Sequence, residues 1–126
     1  MFPVIEIRDV AVKFLKMVVQ GQVDEAFEEC VAENFTHHNF YFKGDRESLL
    51  QAMKENHREQ PHKVFEVKHV IDQHHMVAVH SLLIPFPGGP RMATAHILRF
   101  EHDRIAEMWD LSHVIPEEKI NEHGAF

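Results

Sequence analysis

Two strand-like runs near the end of the chain carry the residues best suited to chemistry. One closes on Glu107-Met108-Trp109-Asp110, and the other holds His96. If His102 to Arg104 form a three-residue loop between them, Glu101 pairs with Ile105 and His96 falls directly opposite Asp110. Both side chains then project from one face, beside Leu98, Phe100, Ala106 and Met108, with Thr94 and Ser112 continuing that face. Ala95, Ile97, Arg99, Ile105, Glu107, Trp109 and Leu111 take the opposite face. A two-residue loop shifts the register by one and separates the pair. The pairing therefore hangs on the length of one loop.

A carboxylate among Leu, Phe, Met and Ala is desolvated, and such an environment suits proton exchange near neutral pH. A neighbouring imidazole can donate a hydrogen bond to an enolate oxygen or hold the carboxylate in one orientation. Asp110 and His96 are thus the candidate catalytic pair for removing a proton next to a carbonyl. The rival reading is a buried Asp–His contact that only sets strand register. His80, within Val77-Ala78-Val79-His80-Ser81-Leu82, interrupts an apolar strand and reads as buried or cavity-lining. His38 and Asn39 stand ahead of Gly44, within reach of a pocket mouth. These three, with Trp109, Met108, Phe100 and Leu98, make the candidate substrate-binding set. On strand alternation Trp109 faces away from Asp110 and is the weaker member.

Metal binding is a competing chemistry, because His38, His80, His96 and Asp110 together form an acceptable zinc or iron ligand set. No HExxH or CxxC spacing supports it. A binding module that holds a ligand in the same pocket without turnover is the other alternative.

The elements that must position these residues are legible as periodicity. Residues 5–19 place Ile7, Val10, Ala11, Phe14, Leu15 and Val18 at helical spacing, with Gly21 as the stop. A short helix follows from Asp24, with Ala26, Phe27, Cys30 and Val31 inward. Phe35 to Phe42 is aromatic and β-prone. Asp45 reads as the N-cap of a helix carrying Leu49, Leu50, Met53 and His57, ended by Pro61. Val64 to Ile71 alternates, Met76 to Ile84 is a more continuous apolar run, and Pro85 to Pro90 is a turn. Arg91 to Phe100 and Ile105 to Val114 form a hairpin, and Pro116 to Phe126 reads as a polar tail. Helices followed by antiparallel strands predict an α+β domain, a curved sheet wrapped around helices and enclosing a pocket.

The 126 residues are enough for one domain with a sizeable core. A net charge of −7 disfavours nucleic acid or an anionic membrane surface as partner. Cys30 is the one cysteine, so no intrachain disulfide forms. The amino-terminal residues lack a signal-peptide pattern, and no segment reaches the ~20 apolar residues that span a bilayer. The expectation is a cytoplasmic protein. Histidine is over-represented, with 12 against a single tyrosine. The adjacent pairs His37-His38 and His74-His75 point to opposite faces wherever they lie in a strand.

Taken together, His38-Asn39 ahead of Gly44, Val77-Ala78-Val79-His80, and Phe100…Ile105-Ala106-Glu107-Met108-Trp109-Asp110 with Pro116 resemble the SnoaL-like polyketide cyclases of the NTF2-like superfamily. The resemblance covers about residues 8–116 of a single domain spanning 1–126. It is nearest to the members described as aldol-condensation enzymes. It implies an NTF2-like cone, no cofactor, a small apolar carbonyl-containing substrate and a homodimer formed through the sheet. It also implies an aspartate at the end of the last strand as acid/base, assisted by a histidine on the preceding strand, matching Asp110 and His96. Relatives often read Glu-His-Trp-Asp where this chain has Met108, His-Asn-Pro where Phe40 follows Asn39, and Asp-Gly-Lys at the hairpin in place of His102-Asp103-Arg104.

Overall fold

A computed structural model describes residues 4–126. Helix α1, Ile7–Val19, buries Ala11, Phe14 and Leu15, the stripe that three- and four-residue spacing selects. It stops at Gly21, whose φ of +88° favours glycine. A Cβ at that position would lie 2.3 Å from the His57 ring, so the glycine also lets α1 end against the third helix. Helix α2, Val23–Cys30, turns Val23, Ala26, Phe27 and Cys30 inward. The Phe27 ring meets Phe14 edge-on at 5.5 Å and Phe35 at 6.2 Å, which joins both helices to the sheet. Helix α3, Arg46–Glu59, begins where the Asp45 carboxylate accepts the Ser48 N–H at 3.0 Å, as expected of an N-cap.

Five strands complete the fold: β1 Val31–His37, β2 Val64–Gln73, β3 Met76–Ile84, β4 Met92–Glu101 and β5 Arg104–Val114. They form one open sheet in the order β1-β5-β4-β3-β2, with β1 parallel to β5 and every other pair antiparallel. The helices cover one face. Against them lie Val77, Val79, Leu98, Phe100, Ile105 and Met108, which with Phe14, Phe27 and Leu49 make the core. This is the expected α+β cone, a mixed open sheet with helices on its inner side. No helix among the described residues is long and apolar enough to cross a membrane.

Three expectations need correction. The aromatic strand ends at His37, not Phe42: the chain turns at Asn39, where Phe42 N–H donates to the Asn39 carbonyl, leaving Phe40 98% and Tyr41 90% exposed. The β4–β5 loop has two residues, His102 and Asp103, because Glu101 pairs with Arg104, and His102 adopts a φ of +56°. Finally, the polar segment Pro116 to Phe126 does not extend away from the domain. It folds back so that the Phe126 ring packs 5.0 Å from His80, with the Lys68 ammonium 5.5 Å from the same ring.

Candidate active site

A two-residue hairpin by itself would separate His96 from Asp110. A β-bulge restores the match. Phe100 pairs with Ile105, but Arg99 pairs with Glu107, so β5 gains one residue at Ala106. Beyond the bulge the register is the one a three-residue loop would have set, and His96 stands opposite Asp110. The bulge also turns Ile105 inward, into the core, where uninterrupted alternation had placed it outside.

The inner face is then built in rows across β3, β4 and β5. Val77, Leu98 and Met108 form an apolar floor sealed from solvent. Val79, His96 and Asp110 form the next row, and Ser81, Thr94 and Ser112 the one after. Chemistry-bearing groups therefore begin one rung above the core, where a polar side chain can remain partly accessible. Asp110 and His96 both do.

Asp110 is held from the turn that follows β1. The Asn39 side-chain amide donates to Asp110 Oδ2 at 3.0 Å, and Asn39 Oδ1 accepts the Tyr41 N–H at 3.0 Å. Those two bonds settle which end of the amide points at the carboxylate. The Asn39 backbone N–H donates to His37 Nδ1 at 3.1 Å, and His37 Nε2 donates to the Lys43 carbonyl at 2.6 Å. His37, buried and stacked on Phe35, thus carries its proton on Nε2 and ties down both sides of the turn.

His96 is held differently. No hydrogen bond joins it to Asp110, and its Nδ1 is sealed from solvent without a partner. Burial pushes the imidazole below the ordinary histidine range, and the opposing pull of the Asp110 carboxylate is smaller. The ring is therefore neutral at pH 7 and can donate one hydrogen bond without carrying charge. Ser81 Oγ, on the adjoining row, is also buried without a partner.

The remaining predicted residues divide by face. Leu98, Phe100 and Met108 share the face of His96 and Asp110, but they are core and form its floor. Trp109 pairs with Ile97 on the outer face, as alternation required, and His38 lies flat on its indole at 4.8 Å. His38 Nε2 meets Glu107 Oε2 at 2.6 Å, and Arg99 Nε donates to Glu107 Oε1 at 3.0 Å. The His38 contact first, and Arg99 second, hold the Glu107 carboxyl below the usual carboxylate range. His80 pairs with Ala95 and stacks on His69 at 5.4 Å, again on the outer face. The suggested metal set of His38, His80, His96 and Asp110 is thus split by the sheet. No group of three His, Cys, Asp or Glu residues placed to hold a metal ion occurs among the described residues.

His37 is the site residue that sequence reasoning passed over in favour of its neighbour. Alternation from the buried Phe35 was the available signal, since it turns residue 37 inward and 38 outward. The carboxy-terminal segment was missed as well. With the β3–β4 turn it frames a cavity of about 1090 Å³, lined among others by Arg91, His113, Ile115 and Phe126, and neither Asp110 nor His96 reaches it.

The profile of the SnoaL-like domain matches residues 11–108, a span that includes His96 and stops two residues before Asp110. Among curated protein sequences none matches the chain. Among solved structures, an NTF2-like protein of unknown function from Cytophaga hutchinsonii has 16% identity and a TM-score of 0.72, covering 90% of this chain and 95% of its own. IdmH, a proposed polyketide cyclase from Streptomyces antibioticus, has 19% identity and a TM-score of 0.71, covering 86% and 92%. A proposed polyketide cyclase from Acidithiobacillus ferrooxidans has 15% identity and a TM-score of 0.70, covering 88% and 91%. At these identities the structures share the fold. The profile spans most of the sequence, from α1 to the middle of β5, and on that match the chain belongs to the SnoaL-like domain family.

Proposed function

We propose that the protein is an enzyme of the cyclase or isomerase type that needs no cofactor and acts beside a carbonyl group of an apolar small molecule. One observation carries this reading. A carboxylate with one oxygen engaged by a neutral amide faces a neutral, partly accessible histidine across the β4–β5 pairing. A purely structural Asp–His contact would join the two side chains, and here they are in register without bonding.

In the proposed reaction Asp110 accepts the α-proton of the substrate. The electrons of that C–H bond move into a carbon–carbon double bond, and those of the C=O onto oxygen. A neutral His96 stabilises the enolate oxygen by donating a hydrogen bond, which costs no proton transfer. In a conjugated substrate the dienolate then takes the proton back from Asp110 at a different carbon, an isomerisation; otherwise the α-carbon attacks a second carbonyl of the same molecule. In the second case a carbon–carbon bond forms, and Asp110 returns its proton to the new alkoxide. Phe40 and Tyr41, next to Asn39 in the chain, are exposed apolar surface on the turn that holds Asp110.

The test is α-hydrogen exchange in D2O, followed by proton NMR with 2-tetralone and related apolar ketones as probes. Wild-type protein is expected to accelerate exchange over buffer, and Asp110→Asn to lose about 10²- to 10⁴-fold of that acceleration, as for a general base, while keeping its fold. Exchange that persists in Asp110→Asn, or no acceleration by wild type across the panel, overturns the assignment. A ketone bound and returned unexchanged points instead to a binding protein.

The working unit is proposed to be a homodimer formed through the outer sheet face, where Leu111 is exposed two residues beyond Trp109 and Ile71 is exposed three strands across in the same row. Light scattering should then give twice the 14.8 kDa chain mass, reverting to one chain mass in Leu111→Glu. A monomeric wild type rejects the dimer.

A further inference from the structure

Asn39 makes four hydrogen bonds, and three of them hold Asn39 itself. Its N–H is fixed by His37, its carbonyl by Phe42 N–H, and its Oδ1 by Tyr41 N–H, leaving one donor, Nδ2, to reach Asp110 Oδ2 at 3.0 Å. The turn around it is closed a second time by His37 N–H donating to the Gly44 carbonyl and by a bridge between Thr36 and Asp45. An amide held at so many points has little freedom to turn away. Being neutral, it cannot take the proton that the carboxylate receives.

We propose that Asn39 is the positioning residue of the site. It fixes the Asp110 carboxylate through Oδ2 and leaves Oδ1 as the oxygen that exchanges protons. The proposal rests on the reading of Asp110 as a base. It adds a reason for β1 to run parallel beside β5, since β1 is the edge strand that delivers the Asn39 turn to the end of the catalytic row. His37 belongs to the same device, because its Nδ1 can accept the Asn39 N–H only while its proton sits on Nε2.

A substrate-free readout separates this proposal from the one it rests on. In protein labelled with 13C and 15N at Asp and Asn, the Asn39 side-chain amide resonances should move in Asp110→Asn. The Asp110 carboxyl carbon should move in Asn39→Ala. In the exchange assay Asn39→Ala should lose about 10- to 100-fold in kcat with little change in KM, the value of one hydrogen bond to a charged group. Asn39→Asp should lose more, because it sets a second carboxylate about 3 Å from the first. Being nearly isosteric, it also serves if Asn39→Ala fails to fold by circular dichroism. Unchanged Asp110 carboxyl resonance and unchanged kcat in a folded Asn39 variant overturn the positioning role. If wild type shows no exchange but the two resonances still respond to each other's substitution, positioning stands and the catalytic reading falls.

Discussion

Acidification should destabilise the protein through His96. The folded state holds this imidazole below its ordinary range because burial outweighs the Asp110 charge. In the unfolded chain the ring binds its proton with a pKa of about 6.5. Below that pH the unfolded state takes up a proton that the folded state does not, so stability falls with pH until the folded-state value is passed. One proton of difference is worth about 1.4 kcal/mol per pH unit, which is the largest slope this residue can contribute. His96→Asn removes the titration while keeping a polar group in the row. Urea unfolding of both proteins at pH 7, 6 and 5, followed by far-ultraviolet circular dichroism, isolates the difference, since contributions of the other histidines cancel. Trp109 is a poorer probe because it stacks on the ionisable ring of His38. Wild type should lose more stability than the variant between pH 6.5 and 5. Parallel losses would refute the argument that burial governs His96. A relative gain by wild type on acidification would mean that the Asp110 charge governs it instead.

Other outcomes follow from the floor and the helices. Leu98 is fully buried on the central strand β4, where β3 and β5 on either side limit collapse, so Leu98→Ala should cost about 3–5 kcal/mol in denaturant titrations. The same cavity should loosen His96 one rung above and depress exchange activity. A loss below about 1 kcal/mol would show that the floor is not tightly packed. Cys30 lies in the core, and burial pushes its thiol above the ordinary range. Native protein should therefore react with Ellman's reagent far more slowly than urea-unfolded protein, and equal rates would contradict the packing of α2.

The site's pieces were visible in the chain, and their assembly was not. Periodicity alone located α1, α3 and the β3 to β5 strands, because alternation and three-to-four spacing are local consequences of backbone geometry. The same local rule placed Trp109 opposite to Asp110, and applied from Phe35 it would have turned His37 inward as well. It failed wherever pairing between strands intervened. The match of His96 to Asp110 depends on a bulge at Ala106 that compensates for a two-residue turn, and a bulge is stabilised by the packing of Ile105 into a core built from α1 and α2.

His38 and His80 were candidate pocket residues by type, yet the register of β3 and the stacking on Trp109 put both on the far side of the sheet. Asn39 read as a substrate-binding candidate near a pocket mouth, and β1 pairing parallel to β5 made it the partner of Asp110. Residue types and spacings thus determined which groups exist and which way each strand presents them. Only the tertiary structure decided which of them meet, since neither the bulge nor the parallel β1–β5 pairing is a property of any single segment.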